Sequence, residues 1–169
     1  MWNDADSPLA YLITFRTYGT WLHGDERGST NRFRNKYGSK FLPKESRWEQ
    51  TSTERLKAAP VLLTSEMRTC VEMAIRAVCE IRDWAMYAVN VRTNHVHVVT
   101  AINGEKPGKA LNAFKANATR ELRAAGLISI ERSPWADKGS EKYLWNEKQI
   151  ADAVEYVLHR QGGDLPGAE

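Results

Sequence analysis

Apolar and polar residues alternate along this chain in blocks whose period changes, and the changes mark its elements. From Leu9 to Tyr18, Tyr11, Ile13 and Phe15 alternate with Leu12, Thr14 and Arg16, a period of two that predicts a strand. After Gly19–Gly24 comes a polar stretch, Asp25 to Thr53, with little periodicity; it reads as a basic insertion or long loop. Periodicity returns at Met67, Val71, Ala74, Val78 and Ile81, a helical stripe with Thr64 or Ser65 as N-cap and Glu66 in the first turn. Trp84–Val91 and the run through Ile102 are rich in β-branched residues and read as two strands joined by a turn near Thr93-Asn94. A second helix is expected over Pro107–Ala125, with Leu111, Phe114, Ala118 and Leu122 inward and Gly126 ending it. Tyr143–Trp145 suggests a short strand, and Trp135 and Trp145 read as packing residues. The last helix runs from Glu147 to about Arg160, with Ile150, Ala153, Val154 and Val157 inward and Gly162, Gly163 and Pro166 beyond it.

The order β, α, ββ, α, β, α with a tight turn between adjacent strands predicts an α+β fold. Its centre is a mainly antiparallel β-sheet with helices packed against it. A chain of 169 residues suits one domain over 1–169, without internal repeats. No apolar run is long enough to span a membrane, the first residues lack a signal-peptide pattern, and the two cysteines make no disulfide framework. A cytoplasmic protein is the expectation.

The net charge of +3 is mild, but its distribution is uneven. Between Arg27 and Arg47 stand seven basic residues and one acid, Glu45; between Lys106 and Arg123 stand five and one, Glu121. Two basic patches suit a polyanion, although on charge alone a solvated surface is the better explanation. In the first patch Phe33, Tyr37 and Phe41 are interleaved with Arg32, Arg34, Lys36 and Lys40, a pattern that lets bases stack while cations follow phosphates. The alternative is that these aromatics pin the insertion to the core. In the second patch Lys115, Lys109, Arg120 and Arg123 share one helix.

Asn94-His95-Val96-His97 carries the clearest chemistry, with two of the four histidines in the chain. Side chains two apart on a strand project from one face, with Cα atoms roughly 6.5–7 Å apart, so His95 and His97 are able to converge on one metal ion. A bare His-x-His is more often two ordinary strand histidines. On the last helix Tyr156 shares a side with Asp152 and His159 by helical spacing. A helix tyrosine commonly does no more than rest its hydroxyl in water. Taken with a metal held by His95 and His97, however, Tyr156 becomes a candidate nucleophile toward a phosphodiester. The cation would stabilise charge on phosphorus, and the products would be a 5′-phosphotyrosine and a free 3′-hydroxyl.

The chain resembles the HUH single-strand DNA transposases with one catalytic tyrosine, and within them it is similar to the REP-associated tyrosine transposases. The resemblance is carried by Leu12–Trp21 on the first strand, by Asn94–Val99, by the basic helix around Lys115, and by Leu144-Trp145-Asn146 with Ala153–Leu158. It implies a ferredoxin-like or RRM-like nuclease fold and cleavage and joining of single-stranded DNA beside hairpins. Tyr156 would be the catalytic residue, and His95 and His97 would be metal ligands. Arg32, Phe33, Arg34, Lys36, Tyr37 and Lys115 would contact DNA. The family includes monomers and homodimers in which one subunit's tyrosine serves the other's histidines.

The resemblance also implies a third ligand, an amide one turn after the tyrosine. Arg160 occupies that spacing here. Residue type makes Gln161 the expected ligand, and helical phase makes His159 the alternative. Such a donor set suits Mg²⁺ or Mn²⁺, Mn²⁺ accepting nitrogen more readily. Three rival readings are a domesticated single-stranded DNA-binding protein without turnover, motivated by Arg160, a replication-initiator-type nuclease, and a metal hydrolase that leaves the basic patches unexplained.

Overall fold

The computed structural model describes residues 7–20, 59–129 and 131–162. The basic segment 25–53, with Arg32, Phe33, Arg34, Lys36 and Tyr37, lies outside the described residues. In chain order the elements are β1 (Ala10–Arg16), α1 (Ser65–Ile81), β2 (Ala85–Val91), β3 (His95–Ala101), α2 (Pro107–Ala124), β4 (Ser140–Leu144) and α3 (Glu147–His159). The strands form one antiparallel sheet in the order β2-β3-β1-β4. Up to β4 this is the βαββαβ ferredoxin-like arrangement, and α3 is added to it. None of the described helices is long and apolar enough to cross a membrane.

Strand alternation divides the sheet into two faces. Ile13 and Phe15 of β1, Val96 and Val98 of β3, and Val89 and Val91 of β2 pack with Val71, Ile75 and Val78 of α1 and with Leu111, Phe114 and Leu122 of α2. The other face buries Leu12, Ala88, Val99 and Leu144 beneath Ala153 and Val157 of α3. Helix ends agree with local chemistry. Thr64 caps α1 by accepting from the Met67 amide, Pro107 opens α2, and Asn146 caps α3 by accepting from the Gln149 amide. Gly126, at φ +70°, closes α2 while the amide of Leu127 returns to the Leu122 carbonyl.

Three expectations are corrected. Ile81 is 83 % exposed, because α1 ends there and the chain turns away through Asp83 at φ +56°. Trp145 is exposed and stands beside Tyr143, ring centroids 6.0 Å apart, whereas Trp135 is buried edge-on to Phe15. β4 begins at Ser140, earlier than its apolar residues indicate, because pairing with β1 extends it through Glu141 and Lys142. Polar residues are ordinary on an edge strand.

The segment before β4 presses close on β1. A Cβ on Gly139 would stand 2.7 Å from the Thr14 carbonyl oxygen and 3.0 Å from Leu111 Cδ1. Gly139→Ala is therefore expected to destabilise the fold by about 1–3 kcal/mol through overpacking. Urea denaturation followed by circular dichroism checks this, and an unchanged midpoint would contradict it.

Candidate active site

His95 and His97 stand on the α3 face of β3, near the strand's start. The register places His97 opposite Thr14 and His95 opposite Arg16 on β1, and places Asn90 of β2 on the other flank of His97. The turn before β3 is tightly held. The Asn94 carbonyl accepts from the Thr17 amide at 2.9 Å and from the hydroxyls of Thr17 and Thr20, each at 3.3 Å. Asn94 is itself buried, and its Oδ1 lies 2.7 Å from His95 Nδ1. His97 is only 2 % exposed, with Nδ1 2.7 Å from Thr14 Oγ1.

The far edges of both imidazoles meet Gln161. Its Oε1 lies 3.2 Å from His95 Nε2 and 3.0 Å from His97 Nε2. The Gln161 amide nitrogen donates to the Tyr156 carbonyl at 3.0 Å, which fixes Oε1 toward the histidines. Tyr156 is half-buried, its ring 5.5 Å from that of His97 at an interplanar angle of 67°. Asn90 Nδ2 donates to the Val157 carbonyl at 2.8 Å, tying the last turn of α3 to the sheet beside the site. Strand β3, the end of α3 and the residue pair after it thus bring the two histidines, the tyrosine and the amide of one chain together.

Burial, and the neighbouring His95, pull His97 down to a pKa of about 3, so it is neutral at physiological pH. A neutral imidazole carries one N–H, and two placements matter. With the protons on Nε2, both rings donate to Gln161 Oε1. With the protons on Nδ1, where Asn94 Oδ1 and Thr14 Oγ1 accept them, the two Nε2 atoms and Oε1 become three lone-pair donors aimed at one small volume. That donor set, backed by hydrogen bonds to the outer ring nitrogens, fits a divalent cation. Among the described residues no third His, Cys, Asp or Glu joins the pair, and the group that stands beside both Nε2 atoms is the Gln161 amide oxygen.

Other expected residues lie apart. His159 and Asp152 are exposed on α3, and Asp152 pairs with Lys148 at 3.5 Å. Lys115 is on α2, across the sheet from the histidines. Its ammonium donates to the carbonyls of Ala136, at 3.0 Å, and Lys138, and with Arg120 and Arg123 it lines a shallow cleft. Thr14 escaped notice because only the β1–β3 register shows it to be the partner of His97. Alternation with Ile13 and Phe15 did place it on the correct face.

No curated protein matches this chain. Two of the solved structures to which it is similar align with it at 13 % identity over 89 % of its length. One is a REP-associated tyrosine transposase bound to a REP hairpin, with a TM-score of 0.49, and this chain covers 65 % of that one. The other is a candidate transposase from Deinococcus radiodurans R1, with a TM-score of 0.50, of which this chain covers 88 %. The sequence model for IS200-like transposases matches residues 55–157, more than half of the chain and a span that holds both histidines and the tyrosine. With this match over α1, β2, β3, α2, β4 and most of α3, the chain belongs to the IS200-like transposase family.

Proposed function

We propose that this protein is a metal-dependent single-stranded DNA endonuclease and strand transferase that cuts beside hairpins and acts as a transposase in the cytoplasm. The observation that carries the proposal is the meeting of His95 Nε2, His97 Nε2 and Gln161 Oε1 beside the Tyr156 ring within a single chain. The hairpin and the single-stranded substrate rest on the family resemblance. When bound by those three atoms, Mg²⁺ or Mn²⁺ supplies Lewis acidity to a non-bridging phosphate oxygen.

The chain's own residues do the rest. Asn94 and Thr14 hold the imidazoles in the tautomer that leaves Nε2 unprotonated. Tyr156 Oη forms a bond to phosphorus as the P–O3′ bond breaks. The phenolic proton leaves to solvent and the departing 3′ oxygen gains one, so the step yields a 5′-phosphotyrosine and a 3′-hydroxyl. One phosphoester replaces another, and the reverse reaction joins strands. Tyr156 acts on the site of its own chain, since its ring already stands against His97. The binding-only alternative was motivated by Arg160, and Gln161 beside the imidazoles favours turnover instead.

Incubation of the protein with hairpin-bearing single-stranded DNA and Mn²⁺ should give a covalent adduct on a denaturing gel; binding without adduct would favour the domesticated reading. Gln161→Ala should raise the Mn²⁺ concentration for half-maximal cleavage by about 10–100-fold, an effect of the size seen when metal-site partners are removed. His159→Ala should leave it unchanged, and a shift only in His159→Ala would reverse the assignment.

A further inference from the structure

We propose that Lys142 and Arg16 form an anion-binding pair on the histidine face of the sheet and hold backbone phosphates of the DNA strand next to the one that is cut. The inference rests on the nuclease reading of the same site. It starts from the register. Leu12, Thr14 and Arg16 of β1 share one face with His95 and His97 of β3, and Lys142 and Ser140 of β4 stand opposite Leu12 and Thr14 on that same face. The pair therefore flanks Thr14, the hydrogen-bond partner of His97, along one strand and across to the next.

A lysine on an edge strand is ordinarily a solvated charge, but here neither cation is fully in water. Both side chains are half-buried, and burial works against the charged form of each. Lys142 is close enough that its charge helps keep His97 neutral.

Neither has an anionic partner among the described residues. The ion pairs found there are Arg76–Glu72, Lys109–Glu105, Arg120–Glu121, Lys148–Asp152 and Arg160–Glu155. Glu141, next in sequence to Lys142, points to the opposite face toward Gly108 of α2. A partly desolvated cation without a counter-charge is unfavourable unless a ligand supplies the charge. A phosphodiester strand does so with one negative charge per nucleotide, and a guanidinium and an ammonium are the usual donors to it. A lone carboxylate would satisfy only one of the two cations.

The test is binding of a fluorescein-labelled oligothymidylate by metal-free protein, followed by anisotropy across a KCl series. Lys142→Gln and Arg16→Gln should each lower the slope of log K against log[salt] by about 0.7, and the double variant by about 1.4. Lys142→Arg and Arg16→Lys should keep the slope, because charge and not packing carries it. Arg76→Gln, on the far face, should also keep it. If Arg16→Gln fails to fold by circular dichroism, Lys142→Gln decides alone. An unchanged slope in folded Lys142→Gln overturns the proposal, even if the wild type forms its adduct with Mn²⁺. Absence of that adduct with reduced slopes in the variants would instead overturn the nuclease reading and leave the anion site standing.

Discussion

Tyr156→Phe is expected to abolish the covalent protein–DNA adduct and to lower strand cleavage by more than about 10³-fold, the scale on which removal of a nucleophile acts. Affinity for single-stranded DNA should change little. Only the phenolic oxygen is removed, and the ring keeps its place beside His97 and against the core beneath α3. A denaturing gel and fluorescence anisotropy read the two effects separately. Loss of binding together with loss of adduct would mean that the ring positions DNA and that its oxygen need not react.

The second large effect is on the metal. His95→Ala and His97→Ala should each weaken Mn²⁺ binding, measured by isothermal titration calorimetry, by at least about 100-fold, the upper range for loss of a mere supporting contact. They should differ in stability. His97 is buried and holds Thr14, so its truncation leaves a cavity and an unpaired hydroxyl and should cost about 1–3 kcal/mol. His95 is half-exposed, and its truncation should cost less. Undiminished Mn²⁺ affinity in both variants would remove the histidines from the ligand set.

Much of this site was legible in the sequence because strand alternation is a strict rule. Once Val96 and Val98 belong to the core, His95 and His97 must share the other face, and Ile13 and Phe15 place Thr14 and Arg16 there as well. The choice between Gln161 and His159 as the proposed third donor stays open in the sequence because helical phase does not hold beyond the end of α3. α3 ends at His159, and Arg160 has already left helical geometry at φ −120°, ψ 24°. Gln161 therefore does not follow the helix's phase, and its amide turns back to the Tyr156 carbonyl. His159 keeps the phase and faces solvent.

Cross-strand partners were not legible. That Thr14 meets His97, and that Lys142 lies on their face, depends on which strands are neighbours and in what register. β4 was the hardest element to find, since an edge strand reading Ser-Glu-Lys-Tyr-Leu carries little apolar signal. Asn94 was visible in the motif, but its contact with His95 Nδ1 depends on a turn held by Thr17 and Thr20.

One tyrosine of this chain is expected to become covalently joined to DNA. Proteolysis of the Mn²⁺-dependent adduct, nuclease trimming of the DNA and mass spectrometry of the peptides test it most directly. The expected product is a nucleotide linked through its 5′-phosphate to Tyr156. A nucleotide on any other residue, or cleavage of hairpin-bearing DNA with no modified peptide, would contradict it.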